Sequence, residues 1–438
     1  MPWRGQPPRL SVERRSTVFF SVSTHKTSSE KRIACTNAGK CVFMVAMKIV
    51  HHSLRSFTLV LALIVVSLIA AAAPPKTGGK YLVYVGTYTE EGSKSKGIYA
   101  YRYDAGSGEI TDLGLAAETT NPSFVAPHPN GKFLYAVNEV GNYKGPNSGG
   151  VSAFAIDHAT GKLTFLNEVA SRGADPCYIT LDETGKYVLV ANYTGGSVAV
   201  FPVLADGKLG EASAFVQHSG KGSDPKRQEG PHAHSVDLSP DNRFAMVDDL
   251  GLDELLVYKF DGAKGSLTPN DPPFAKLDPG AGPRHFVLRP DGKFAYVVTE
   301  MGHTVIVFSN DAAAGKLQPI QTITTLPKDF TGRNDDAEIR VHPSGKFLYA
   351  SNRGDESIAV YTIDKSKGTL TQAGIIHTGG KEPRNFEIDP TGTLLFAANQ
   401  KSDNIVVFRI DQKTGLFTPT GKVLEVGTPV CVKFVPTK

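Results

Sequence analysis

The chain has 438 residues, a formal net charge of +4 and a hydrophobic share of 40%. That length holds two or three average domains or one large repeat array, and that apolar share excludes intrinsic disorder as the main state. Gly and Pro together supply about a sixth of the positions, above the usual share but short of low complexity, and collagen, long coiled coils and polytopic membrane proteins are excluded as well.

The charge is unevenly placed. Residues 1–73 carry ten Lys/Arg against Glu13 and Glu30, a net of +8, and residues 74–438 carry 37 basic and 41 acidic side chains, a net of −4. From Met47, Lys48 and Arg55 form a short positive region, residues 57–70 form an uncharged run of about 14 positions, and Ala71, Ala72 and Ala73 offer a small-residue cleavage site before Pro74. This predicts a secretory signal peptide over about 47–73, because the run is shorter than the roughly 20 residues of a bilayer span. A signal anchor is the competing reading. Residues 1–46 read as an overextended start ahead of Met44 or Met47. The expected product is exported, periplasmic or secreted, with no stable membrane span after cleavage. Its two cysteines, Cys177 and Cys431, fall in non-adjacent repeats and are expected as free, packed thiols.

One pattern recurs through residues 74–438: a Pro, a second Pro or substitute seven residues later, a turn, then an apolar strand ending in a polar residue. It spans residues 121–139, 175–193, 232–250, 282–300, 336–353 and 382–400. The turn residues Gly131, Gly185, Asn242, Gly292, Gly345 and Gly392 are 54, 57, 50, 53 and 47 residues apart. A seventh copy is split: the C-terminus (TPVCVKFVPTK) stops where its turn begins, and residues 78–88 (GGKYLVYVGTY) supply the missing strand. About 50 residues and four short alternating strands per unit make one propeller blade. The prediction is one all-β domain over 74–438, a seven-bladed β-propeller whose ring is closed by a blade shared between the two ends.

The repeat register gathers the chemistry. The position after each leading Pro site reads Val430, Ser123, Cys177, His234, Arg284, Ala337 and Arg384. Eight positions after each turn residue stand Thr87, Glu139, Tyr193, Leu250, Glu300, Arg353 and Gln400, preceded in four blades by Asn138, Asn192, Asn352 and Asn399. In an antiparallel hairpin both positions lie on one rim, opposite the Pro-x-Gly turns, and a first strand lining the channel brings them to one pocket. Three guanidiniums there suit an anionic or carbonyl-rich ligand. Arg284 and Glu300 could instead form an ordinary ion pair within their blade, and His234 could be a satisfied core histidine. His232 and His234 would supply two zinc ligands, with Asp248 or Asp249 as candidate third, but no third ligand has suggestive spacing, and no metal is expected. His128 and His342, each before Pro in a turn, read as structural. The acidic body without a basic, aromatic-rich patch argues against nucleic acid.

The segments RQEGPHAHSVDLSPDNRF, GPRHFVLRPDGKFAYVVTE, HPSGKFLYASNRG and EPRNFEIDPTG resemble the bacterial seven-bladed lactonase family, which includes propeller-type 6-phosphogluconolactonases and the fungal carboxymuconate lactonising enzyme. The resemblance covers residues 78–438. It implies a lactone-opening or lactone-forming enzyme without metal or other cofactor, with His234, Arg284 and Glu300 as the catalytic core. Arg353 and Arg384 are implied as substrate-binding groups, and Glu139, Asn138 and Gln400 join them from the register. The expected substrate is a small lactone or an anionic, carbohydrate-like molecule. The expected function is hydrolysis of a sugar-type lactone; a carboxymuconate-type cycloisomerase and a non-catalytic exported propeller that binds carbohydrate or protein are the alternatives. A closed ring leaves few free strand edges, so a monomer is expected.

Overall fold

A computed structural model describes residues 78–437; the expected leader, residues 1–73, lies outside the described residues. Twenty-eight strands form seven four-stranded antiparallel sheets among the described residues, with one single-turn 3₁₀ helix, Gln400–Ser402, and no α-helix. Blade 1 is the split one: Pro429–Pro436 pairs with Lys80–Thr87, which continues to Gly97–Asp104 and Glu109–Glu118. Val83 faces Phe434 and Val85 faces Val432 across that seam. The first strands of blades 2 to 7 are Val125–Pro127, Pro176–Leu181, Ala233–Leu238, Pro283–Leu288, Asp336–Val341 and Pro383–Ile388. Together with Pro429–Pro436 they touch one another in cyclic order, so the first strands surround the axis and the ring closes.

The second strands depart from the expected two-residue alternation. Phe244–Asp249, Phe294–Thr299, Phe347–Asn352 and Leu394–Asn399 are buried along their whole length. Both faces of such a strand lie against a neighbouring blade, so neither face meets water. The outer strands carry the polarity instead, as in Lys316–Thr324, where only Leu317 is buried. Buried phenols then need partners, and they find them across blades. Tyr84, Tyr135, Tyr296 and Tyr349 donate to the carbonyls of Gly161, Gly207, Gly368 and Gly415, each in the next blade, over 2.7 to 3.2 Å. The turn histidines do the same: His128 Nε2 meets Gly185 O at 2.9 Å, and His342 Nε2 meets Gly392 O at 2.8 Å. Six turn residues, from Gly131 to Gly392 with Asn242 among them, take φ between 58° and 75°, the left-handed conformation that these turns demand. Cys177 and Cys431 are buried and unpaired in blades 3 and 1.

One buried carboxyl sets a pH dependence of stability. Asp248 accepts from Ser235 Oγ at 2.7 Å, but its Oδ1 has no partner, and burial pushes its pKa up to about 8. The folded chain holds that proton more tightly than the unfolded chain. The contribution is therefore full below pH 4 and is lost as pH rises through 8. Asp248→Asn, which does not titrate, is expected to leave stability at pH 3.5 nearly unchanged and to raise it at pH 9. Urea unfolding at both pH values checks the sign.

Candidate active site

Six of the seven blades begin with the same irregularity. The register between first and second strands shifts between Pro176 and Tyr178, Ala233 and Ser235, Pro283 and His285, Asp336 and Ile339, and Pro383 and Asn385. In blade 1 it shifts at Gly86 and Thr87, opposite Val430. A bulge takes one residue out of the ladder and re-aims its side chain. The residues so released are the first ring of the sequence: Cys177, His234, Arg284, Arg384 and Val430, with Ala337 in the wider bulge of blade 6. The second ring arrives from just beyond the ends of the second strands, where Glu139, Tyr193, Glu300 and Arg353 turn over the same mouth.

A cavity of about 330 Å³ opens there, and His234, Glu300, Arg353, Arg384 and Glu139 all line it. Glu300 is its electrostatic centre. Its Oε2 takes Arg284 Nε at 2.9 Å and Arg353 Nη2 at 2.8 Å, while Oε1 takes Arg227 Nη2. His234 Nε2 stands 4.0 Å from the same Oε2. Arg284 lies deeper, donating from Nη1 to Ala337 O at 2.6 Å and standing 3.2 Å from His285 Nε2. His234, Arg284 and Glu300 are 4%, 2% and 6% exposed, so their charges act at low dielectric. On the other side of the mouth, Tyr88 OH donates to Glu139 at 2.9 Å, and the Arg384 guanidinium lies 5.5 Å from the Tyr88 ring centroid. The Arg384 side chain makes no hydrogen bond within the described residues, unlike the other three arginines.

These surroundings separate the titratable groups. Burial, with Arg284 and His285 alongside, drives His234 well below the usual imidazole range, so at neutral pH it is unprotonated and able to accept a proton. Burial opposes ionisation of Glu300, but Arg353 and Arg284 outweigh it and hold the carboxyl well below the usual range. Glu300 is thus an anchor for cations, not a proton donor. Glu139 moves the other way: burial raises it, and Arg384 offsets only part of that. Burial and then Arg353 and Arg384 bring Arg284 down to about 10, still charged at neutral pH.

Two expected binding residues lie elsewhere. Asn138 ends its strand and points into the blade, where its Nδ2 donates to Thr119 Oγ1 at 2.8 Å and its Oδ1 accepts from Ser152 Oγ at 2.7 Å. Successive residues in extended chain face opposite ways, so the step from Asn138 to Glu139 crosses from blade to cavity. Gln400 opens the 3₁₀ turn of blade 7 and does not line the cavity. His232 stacks on Tyr193 with ring centroids 4.6 Å apart, Asp248 holds Ser235 and Asp249 holds His218. No group of three His, Cys, Asp or Glu side chains able to hold a metal occurs among the described residues.

Three features were not foreseen. Arg227 reaches Glu300 from the segment between Ala214–Gln217 and Ala233–Leu238, outside the repeat register. Asp335 stands 3.6 Å from Arg227 Nη1 and its backbone carbonyl accepts from Arg353 Nε at 3.2 Å. The turn-bearing mouth holds a second cavity of about 410 Å³, with Asp237, Arg340 and Lys433 among apolar walls. Phe124 and Tyr178, stacked 4.3 Å apart between ring centroids, line it, and Phe124 also borders the chemistry above.

A closed ring of seven four-stranded sheets with a charged pocket at one mouth is a seven-bladed β-propeller. Within that class, residues 82–434 match the model of the seven-bladed β-propeller lactonase family, and the chain belongs to that family. A 6-phosphogluconolactonase of Bacillus subtilis is 40% identical over 301 residues, covering 69% of this chain and 83% of that protein. A 6-phosphogluconolactonase of Formosa agariphila is 35% identical over 295 residues, covering 67% and 82%. Among solved structures, a periplasmic gluconolactonase of Pseudomonas aeruginosa superposes with a TM-score of 0.75 at 35% identity, covering 81% of this chain and 99% of that one.

Proposed function

We propose that this protein is an exported lactonase that hydrolyses a sugar-type lactone by general acid/base catalysis in the His234 pocket. The observation that carries the reading is an unprotonated histidine held beside an ionised glutamate and a buried arginine, in a chain whose family relatives include named 6-phosphogluconolactonases.

The chemistry follows from the groups present. Neutral His234 takes a proton from water as the water oxygen bonds to the lactone carbonyl carbon. Arg284 stabilises the negative charge that develops on the carbonyl oxygen, where a preoriented cation at low dielectric is worth most. Glu300 sits 4.0 Å from the imidazole and steadies the imidazolium formed in that step. The acyl–oxygen bond of the ring then breaks, and His234 returns the proton to the departing ring oxygen. Arg384, with its donors uncommitted, takes a phosphate or carboxylate of the substrate. The cations that stabilise charge here are side chains, so the scheme needs no metal.

The test is a pH-stat panel of aldonolactones, phosphorylated and not, corrected for spontaneous opening. Turnover of at least one of them above background is expected. Arg384→Ala is expected to raise KM by about tenfold or more for an anionic lactone while sparing kcat, because it removes binding shared by ground and transition states. An unchanged KM would contradict the anchoring role. Export is proposed from the leader, with the 74–438 propeller as the mature domain; N-terminal sequencing of the exported protein should begin near residue 74.

A further inference from the structure

Beneath the main cavity lies a small chamber of about 10 Å³, bordered by Ser123, Tyr88, Glu139, His234, Arg284 and Arg384. It shares Glu139, Cys177, His234 and Arg384 with the larger cavity, so the two adjoin on those side chains. That volume is the room of one water molecule. Ser123 is 4% exposed; its Oγ makes no hydrogen bond of good geometry, and the acceptor beside it is the Glu139 carboxylate. A buried hydroxyl without a well-formed hydrogen bond costs about 1–3 kcal/mol, and one water in this chamber, between Ser123 Oγ and Glu139, would supply it. Its backbone is fixed, since Ser123 N–H donates to Asn121 O at 2.8 Å and Gly86 leaves space against the Ser123 carbonyl. The same ring position is apolar or weakly polar in neighbouring blades, Val430 on one side and Cys177 on the other. Packing in this ring therefore does not require a hydroxyl.

We propose that this chamber holds the water that attacks the lactone carbonyl, with Ser123 Oγ as its fixed hydrogen-bond partner and His234 as the group that takes its proton. The inference rests on the lactonase reading above. In the step, the water oxygen bonds to the acyl carbon and one water proton passes to His234. The acyl–ring oxygen bond then breaks and the proton returns to that oxygen, so the sum is lactone plus water giving the open hydroxy acid. Ser123 is a positioning residue: it orients the water and exchanges no proton.

Two variants of the full mature chain test this. Ser123→Val fills the chamber, and Ser123→Ala removes only the hydroxyl. Ser123→Val is expected to lower kcat by about 10²-fold with KM within about threefold, and Ser123→Ala to lower kcat by about tenfold, both with an unchanged melting temperature. A crystal structure of the unsubstituted protein should contain an ordered water on Ser123 Oγ that is absent from Ser123→Val. Wild-type kcat in Ser123→Val, or a loss expressed in KM alone, would overturn the water site while leaving the lactonase reading intact. An ordered water on Ser123 Oγ in a protein that opens no lactone would overturn both the lactonase reading and the water's role as nucleophile.

Discussion

His234→Ala is expected to lower kcat for lactone hydrolysis by at least about 10²-fold while changing KM little. His234 is the imidazole of the pocket and is unprotonated at neutral pH, so it is able to accept a proton. Burial and the nearby Arg284 keep it unprotonated, whereas Glu300 is occupied by three guanidiniums. The same surroundings fix the pH profile. Because His234 is held below the usual imidazole range, the acid limb of kcat/KM should fall at a pH below 6.5. Activity should rise with pH through that limb and be flat across neutrality. In His234→Ala the limb should disappear along with the rate. A limb near 6.5 to 7, or a rate close to wild type, would remove His234 from the base role.

Glu300→Gln is expected to produce the largest combined loss. One carboxylate balances Arg227, Arg284 and Arg353, two of them within 2.9 Å of a single oxygen. Truncating one member of a buried charge network leaves its partners uncompensated, a cost of about 3–5 kcal/mol. An amide also cannot steady an imidazolium, so kcat should fall by about 10²-fold in whatever fraction remains folded. The pH sign follows from the same carboxylate. Its folded pKa is depressed, so its contribution is full above pH 4.5 and is lost as pH falls through the folded value. The wild-type protein should therefore lose stability on acidification in a way that Glu300→Gln does not. Denaturant unfolding of both proteins at pH 7 and pH 3.5 measures this; parallel losses on acidification would assign the dependence to other groups.

Much of this arrangement was legible in the repeat. Prolines, or their substitutes, seven residues apart count the blades, and the half-copies at either end of residues 74–438 give the seam between Lys80–Thr87 and Pro429–Pro436. The register also brings His234, Arg284, Glu300, Arg353, Arg384 and Glu139 to one mouth, because hairpin pairing fixes which strand ends are neighbours. Local geometry was less legible. The ring positions are bulge residues, and nothing in the residue types at Cys177 or Ala337 signals a bulge. Asn138 was assigned to the pocket by its nearness in sequence to Glu139, but the pleat turns its side chain into the blade. Gln400 was displaced by a one-turn helix that no other blade contains among the described residues. Arg227 belongs to no repeat position. Its one sequence signal is the longest interval between turns, the 57 residues from Gly185 to Asn242, which lodge an extra segment ending in RQEG. In the sequence the second mouth is legible only as the rim of the Pro-x-Gly turns, yet Asp237, Arg340 and Lys433 gather there from blades 4, 6 and 1, a juxtaposition that only ring closure creates.

Hydrolysis and mere binding at the pocket differ in one observable, the rate at which a lactone opens. The most direct measurement follows aldonolactone opening by purified mature protein at neutral pH, beside His234→Ala and a protein-free control. An enzymatic rate well above the spontaneous one is expected, falling by at least about 10²-fold toward background in His234→Ala. Saturable lactone binding with opening no faster than the protein-free control would contradict hydrolysis and identify a non-catalytic propeller.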